Sequence, residues 1–152
     1  MKNIIAAFTI LVVLLLSSCS KSTTSGNSWT FKGTTYKTAT TTDAGGGYWD
    51  IASVNPTGTM QVNFSTSTLP TTSGTYTVVA HGSSLTGGNK LTIYLQTSDG
   101  YIFYSTGGTG SPQTVSVNVS NGKVSVSGSG IELVSNNTST DLANVALNVT
   151  QL

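Results

Sequence analysis

The feature that most constrains the fold of this chain is an alternation of apolar and polar residues, which recurs from Trp29 to the C-terminus. Successive side chains of a β-strand point to opposite faces, so a period of two indicates strands with one buried face. The alternating runs are rich in Val, Thr and Tyr and are separated by Gly, Asn and Ser, which is typical of antiparallel strands. The clearest apolar positions are Trp29, Phe31, Met60, Val62, Phe64, Tyr76, Val78, Ala80, Leu91, Ile93, Leu95, Val115, Val117, Val119, Val145, Leu147 and Val149.

The pair Asn121-Gly122 lies between two such runs and predicts a tight hairpin. A type I′ turn needs a positive φ at both central residues, and Asn-Gly is the pair that adopts it most readily. A two-residue loop then fixes the register and places four valines on one face. The expected partners are Ser120 with Lys123, Val119 with Val124, and Val117 with Val126, while Asn118 and Ser125 share the opposite face.

A second hairpin is expected to turn at residues 98–100, where the sequence is Ser-Asp-Gly. A two-residue loop would pair Leu95 with Tyr104, whereas a three-residue loop with Gly100 in the left-handed region would pair it with Phe103. Both faces of this hairpin carry apolar residues. We therefore expect the hairpin to be central in the sheet, or to present one face to something outside the core.

These short turns predict a single all-β domain built as an antiparallel meander, with no helix after the N-terminal segment. About nine or ten strands fit into roughly 120 residues, which is one domain by length. A two-sheet sandwich is favoured, and a small lipocalin-like barrel is the alternative. The expected division is a signal peptide over 1–18, a cysteine and flexible tether over 19–28, and the β domain over 29–152.

The N-terminus reads as an export signal. Lys2 precedes an apolar run from Ile4 to Leu16, followed by Ser17, Ser18 and Cys19. This run is too short for a transmembrane helix, which takes roughly 20 residues, and it matches the apolar centre of a secretory signal. The segment from Leu16 to Cys19 resembles the lipobox of bacterial lipoproteins. That resemblance implies cleavage between Ser18 and Cys19 and attachment of fatty acyl chains such as palmitate at Cys19.

The same resemblance implies a place in the cell envelope. An acidic residue directly after the lipidated cysteine retains some lipoproteins at the inner membrane, but this chain has Ser20 there. The outer membrane is therefore expected. Surface-exposed lipoproteins often carry acids close behind the cysteine, whereas here Lys21 follows and the first acid is Asp43. The periplasmic face is therefore favoured over the cell surface.

The composition argues against most chemistry. Charged residues make up 7% of the chain, and the net charge is +1, so a basic surface for nucleic acid is not expected. The chain has one histidine, His81, and one cysteine, Cys19. A zinc site needs several such ligands together, and no Gly-x-Ser-x-Gly elbow accompanies His81. Asp43 and Asp50 flank a glycine run and are interpreted as solvated acids. We expect no enzymatic activity, no metal and no cofactor.

Aromatic residues supply the one binding hypothesis. Tyr48, Trp49, Tyr94, Tyr101 and Tyr104 are candidate ligand contacts, because exposed rings beside polar groups can stack on sugars or hold a peptide. The favoured alternative is that these rings fill the core. The sequence therefore predicts a lipid-anchored envelope protein with a structural or partner-binding role. A module for a glycan or a small apolar ligand is the alternative, and an aromatic-lined cleft would favour it.

The chain as a whole resembles the small all-β lipoproteins of Bacteroidota, and this resemblance implies the membrane anchor and the β fold but no activity. Lipocalins share a Gly-x-Trp near the first strand, but Gly26 and Trp29 are one residue too far apart. The matching segments are residues 16–21, 29–36, 73–78 and 121–126.

Overall fold

The computed structural model describes residues 26–108 and 110–152, and the signal peptide, Cys19 and most of the expected tether lie outside them. The described residues form eleven β-strands and no helix, so the predicted all-β class is confirmed. The strands are β1 (Ser28–Phe31), β2 (Thr34–Lys37), β3 (Thr40–Gly45), β4 (Tyr48–Val54), β5 (Thr57–Phe64), β6 (Gly74–Val78), β7 (Lys90–Thr97), β8 (Ile102–Ser105), β9 (Gln113–Ser120), β10 (Lys123–Ser135) and β11 (Leu142–Thr150).

The strands form one sheet whose order is β2-β1-β11-β10-β9-β6-β7-β5-β4-β3. Strand β8 pairs with both β7 and β10, so that β6, β7, β8, β10 and β9 close into a five-stranded barrel. The other strands extend the sheet on either side of the barrel. Antiparallel meanders run through β3–β5 and β9–β11, but β6 pairs with β7 in parallel. The chain therefore departs from a simple meander at β6.

The hairpin at Asn121-Gly122 has the predicted geometry. Asn121 has φ 52° and Gly122 has φ 73°, as a type I′ turn requires. Val117 pairs with Val126 and Val119 with Val124, in the predicted register. Val117, Val124 and Val126 are buried, so turn chemistry and side-chain burial agree.

The second hairpin has the three-residue loop. Leu95 pairs with Phe103, and Gly100 has φ 83°. This register buries Leu95 and Phe103 together in the core. It also places Tyr94 directly opposite Tyr104 on the outer face of the sheet. Both faces of this hairpin carry apolar residues because one face packs in the core and the other holds this tyrosine pair.

The core is filled by the inward positions of the alternating strands, and large rings dominate one part of it. Trp29 stacks on Tyr36 with ring centroids 5.2 Å apart. The Tyr36 ring lies directly over Gly58, where a Cβ atom would come within 2.8 Å of it. Because Tyr36 is on the end strand β2 and Gly58 on β5, which lies six strands further along the order from β1, this contact joins strands that are far apart in the sheet order.

The ordered contacts begin slightly before the expected domain boundary. Ser28 is the first residue of β1. The side chain of Asn27 donates to the carbonyl of Thr150 at 2.8 Å and accepts from its N–H at 2.9 Å. The last residues of the expected tether are therefore bound to the final strand. No helix in residues 26–108 and 110–152 is long and apolar enough to cross a membrane.

Candidate functional site

The outer face of the sheet carries a row of paired side chains that crosses four strands. Asp50 on β4 lies opposite Gln61 on β5, Gln61 opposite Tyr94 on β7, and Tyr94 opposite Tyr104 on β8. Directly paired residues of neighbouring strands share a face and lie close together. We call these four residues, together with His81, the tyrosine face.

The rings of the tyrosine face contact one another. The imidazole of His81 stacks on Tyr104 with centroids 4.3 Å apart and planes at 25°. Tyr94 meets Tyr104 edge-on, with centroids 5.5 Å apart and planes at 61°. His81 lies in the loop after β6, and its backbone N–H donates to the carbonyl of Ser105 at 2.9 Å. The lone histidine is thus part of an aromatic cluster.

Polar groups continue the row beyond the rings. The Gln61 side-chain amide donates to an Asp50 carboxylate oxygen at 2.7 Å. Alongside them runs a shallow groove of about 280 Å³, which Tyr94 also lines. Its walls carry the hydroxyl-bearing residues Thr40, Thr42 and Thr59. The face therefore combines an aromatic cluster with a band of hydrogen-bonding groups.

The five aromatic candidates are divided among the outer face of the sheet, the core and a separate cleft. Tyr94 and Tyr104 lie together on the tyrosine face. Tyr48 is 40% exposed and lies at the margin of the same outer surface, opposite Asn63. Trp49 is wholly buried, because it is on the inward side of β4, and it is therefore a core residue rather than a ligand contact. Tyr101 is exposed but lies in a separate cleft.

This cleft has a volume of about 580 Å³ and is lined by residues of four loops, those between β1 and β2, β4 and β5, β7 and β8, and β10 and β11. Lys32 in the β1–β2 turn extends its ammonium to 2.9 Å from both carboxylate oxygens of Asp141. The same ammonium lies 4.5 Å from the centre of the Phe103 ring. The residues that line the cleft include Phe31, Thr34, Tyr36, Pro56, Thr97, Ser98, Asp99 and Tyr101.

The cleft also perturbs the titration of two groups. The Thr97 hydroxyl, which donates a hydrogen bond to Asp99, lowers the pKa of that carboxyl, and backbone N–H groups and Lys32 add to the effect. Burial raises the pKa of the Tyr36 phenol, and the negative charge of Asp99 raises it further. The surroundings therefore favour the ionised form of Asp99 and the neutral form of Tyr36.

Sequence reasoning identified Tyr101 but missed the charged residues around it. The one local signal is Lys32-Gly33 between two alternating runs, which has the spacing of a two-residue hairpin turn. Nothing local connects Lys32 with Asp141, which lies 109 positions further along the chain. The cleft is produced by tertiary contacts between loops.

Comparison of the chain with protein-family models, curated proteins and solved structures found no match. Within the part of the chain that the structure describes, no three His, Cys, Asp or Glu side chains come together as a metal site would require.

Proposed function

We propose that this protein is a lipid-anchored component of the bacterial cell envelope that acts by binding, and that its ligand is an uncharged glycan lying across the tyrosine face. The observation that carries the proposal is the cluster of Tyr94, Tyr104 and His81 beside the hydrogen-bonded pair of Asp50 and Gln61. The membrane anchor in this proposal is supported by the resemblance of residues 16–19 to a lipobox.

The chemistry of the face suits a sugar. The flat face of an aromatic ring packs on the apolar C–H face of a pyranose, while the ring edge leaves a polar atom free to hydrogen-bond. Carboxylate, amide and hydroxyl groups supply the donors and acceptors that sugar hydroxyls need. The nearby groove carries threonine hydroxyls, so both kinds of contact are available to one chain of sugar units.

The low charge of the protein supports a neutral ligand. Only 7% of the residues are charged, and the net charge is +1. Long-range electrostatic attraction of a polyanion is therefore weak. Stacking and hydrogen bonding with an uncharged polymer do not depend on that attraction.

The binding test uses the purified full-length protein on an array of neutral oligosaccharides. We expect retention of at least one glycan, and we expect Tyr94→Ala and Tyr104→Ala each to weaken it about five- to tenfold, because each removes a stacking ring. Tyr101→Ala is the matched control, since it removes an exposed tyrosine that lies outside this face. Equal loss in all three variants, or no retained glycan, contradicts the proposal.

The anchor has its own test. Metabolic labelling with a fatty acid should label the wild-type chain, which should then partition into detergent. Cys19→Ser removes the only thiol of the chain and should abolish both. A Cys19→Ser protein that still labels and partitions would overturn the lipoprotein assignment.

A protein partner in the envelope is the second candidate for this surface. The row that contains Tyr104 continues through Val134 to Leu142, which is 49% exposed. Aromatic residues are enriched at protein interfaces, and the exposed Leu142 extends the same row. Leu142→Ser should impair binding to such a partner and leave binding to an oligosaccharide unchanged.

A further inference from the structure

The cleft beneath Lys32 has the form of a small-molecule site. Its volume of about 580 Å³ lies within the range of ligand pockets. Its floor consists of two buried rings, Phe31 and Phe103, which meet edge-on with centroids 4.6 Å apart. Tyr101, 46% exposed, stands at the rim. This cleft shares no lining residue with the groove of the tyrosine face.

The protein's own ammonium group, that of Lys32, lies in this cleft between the aromatic floor and Asp141. The Lys32 Nζ atom lies 4.5 Å from the Phe103 centroid, 5.9 Å from the Phe31 centroid and 2.9 Å from both Asp141 oxygens. Attraction between a cation and a ring face operates within about 6 Å. Lys32 thus makes the contacts that a bound amine would make.

The backbone at Lys32 is unfavourable for a lysine. Its φ is 46°, in the left-handed region that non-glycine residues rarely adopt. The equivalent position of the β9–β10 hairpin is Asn121, with φ 52°, and asparagine tolerates this conformation well. A strained residue that persists often has a functional role for its side chain. The side chain of Lys32 places its ammonium over the Phe103 ring.

The charges of the cleft favour a cation. Two carboxylates, Asp99 and Asp141, line it against the single ammonium of Lys32. The hydrogen bond from Thr97 favours the ionised form of Asp99 and lowers the pKa of its carboxyl. If Lys32 swings out, two negative charges and an aromatic floor remain, and both attract an ammonium group.

We propose that this cleft binds a small organic amine through its ammonium group, and that Lys32 is a tethered occupant which such a ligand displaces. A tethered group competes at an effective concentration of about millimolar. A free amine therefore binds the wild-type protein weakly. This inference concerns a different surface from the tyrosine face. Its test is therefore independent of the test of glycan binding.

The test is a titration of the purified full-length protein with n-butylammonium, which is the free counterpart of the lysine side chain, followed by NMR. Lys32→Asn removes the occupant and retains a residue that suits the left-handed backbone of the turn. We expect this variant to bind n-butylammonium at least about fivefold more tightly than the wild type, since intramolecular competition is gone. The ring signals of Tyr101 and Phe103 should report the binding.

Three controls make the result decisive. Lys37→Asn removes the same charge from an exposed position at the end of β2 and should leave the affinity at the wild-type value. Adding Asp141→Asn to Lys32→Asn should weaken binding again, and n-butanol should bind no more tightly to Lys32→Asn than to the wild type. The circular dichroism spectrum of Lys32→Asn should show that the β structure is intact. The proposal is overturned if this folded variant gains no affinity for n-butylammonium, or if it gains as much affinity for n-butanol.

Discussion

At the scale of single residues, backbone conformation decides more than contacts do at the turn between β9 and β10. Gly122 has φ 73°, and a Cβ atom placed on it would meet no atom within 4 Å. Space is therefore available for a side chain, but the backbone angle is unfavourable for one. The residue type at this position is determined by the turn geometry that sets the hairpin register.

Gly122→Val should therefore destabilise the protein by about 1–3 kcal/mol through backbone strain alone. Denaturant unfolding of the purified variants measures this cost. Asn121→Gly is the matched control in the same turn, and it should change the free energy of unfolding by less than about 0.5 kcal/mol, because glycine adopts φ 52° freely. Comparable losses in both variants would show that the turn is not type I′.

At the scale of elements, the β9–β10 hairpin has one buried and one solvated face. Val117 and Val126 are paired and buried. Asn118 is exposed, and its side-chain oxygen accepts a hydrogen bond from the Ser73 hydroxyl at 3.1 Å. Burial on one face therefore supplies the packing energy, while the other face contributes weak surface contacts.

This asymmetry predicts different costs for two neighbouring substitutions. Val117→Ala should destabilise the protein by about 1–3 kcal/mol, because it removes buried methyl groups and leaves a gap. Asn118→Ala should cost less than about 0.5 kcal/mol, because that side chain is solvated. Denaturant melts of both variants make the comparison, and a larger loss from Asn118→Ala than from Val117→Ala would mean that the faces are reversed.

At the scale of the whole molecule, two buried tyrosines contact β5, a strand with which their own strands do not pair. Tyr36 of β2 stacks on Trp29 and covers Gly58 of β5. Tyr76 of β6 meets Phe64 of β5 edge-on, with centroids 5.7 Å apart. Burial raises the pKa of both phenols above their usual value of 10.0, and Asp99 adds to the rise at Tyr36.

Stability should consequently fall in alkali. Folding raises the pKa of such a phenol, so the phenol stabilises the folded state. This stabilisation is fully present below the pKa of the unfolded state, and it is lost as the pH rises through the pKa of the folded state. The free energy of unfolding should decline above about pH 10, and the double variant Tyr36→Phe, Tyr76→Phe should decline less steeply. Tyr48→Phe, which removes an exposed phenol, is the control. An unchanged slope in the double variant would contradict this account.

The aromatic candidates show where sequence reasoning reached its limit. The pattern places Trp49 on the opposite side of a strand from Tyr48, and the structure buries the first and exposes the second. The sequence did not determine which of these two side chains faces the core, because that depends on the neighbouring strands. The joining of Tyr94 and Tyr104 likewise depended on the loop at residues 98–100, for which the sequence allowed two registers.

The sequence by itself determined the all-β class, the apolar face of each alternating strand and the register of the hairpin at Asn121-Gly122. These follow from local rules, since the side-chain period and the φ preference of each residue act over a few positions. Only the tertiary structure decided the parallel pairing of β6 with β7, the closure of the barrel by β8 and the meeting of Lys32 with Asp141. These contacts join segments whose local patterns are equally compatible with other partners, so the choice among them depends on how the whole chain packs.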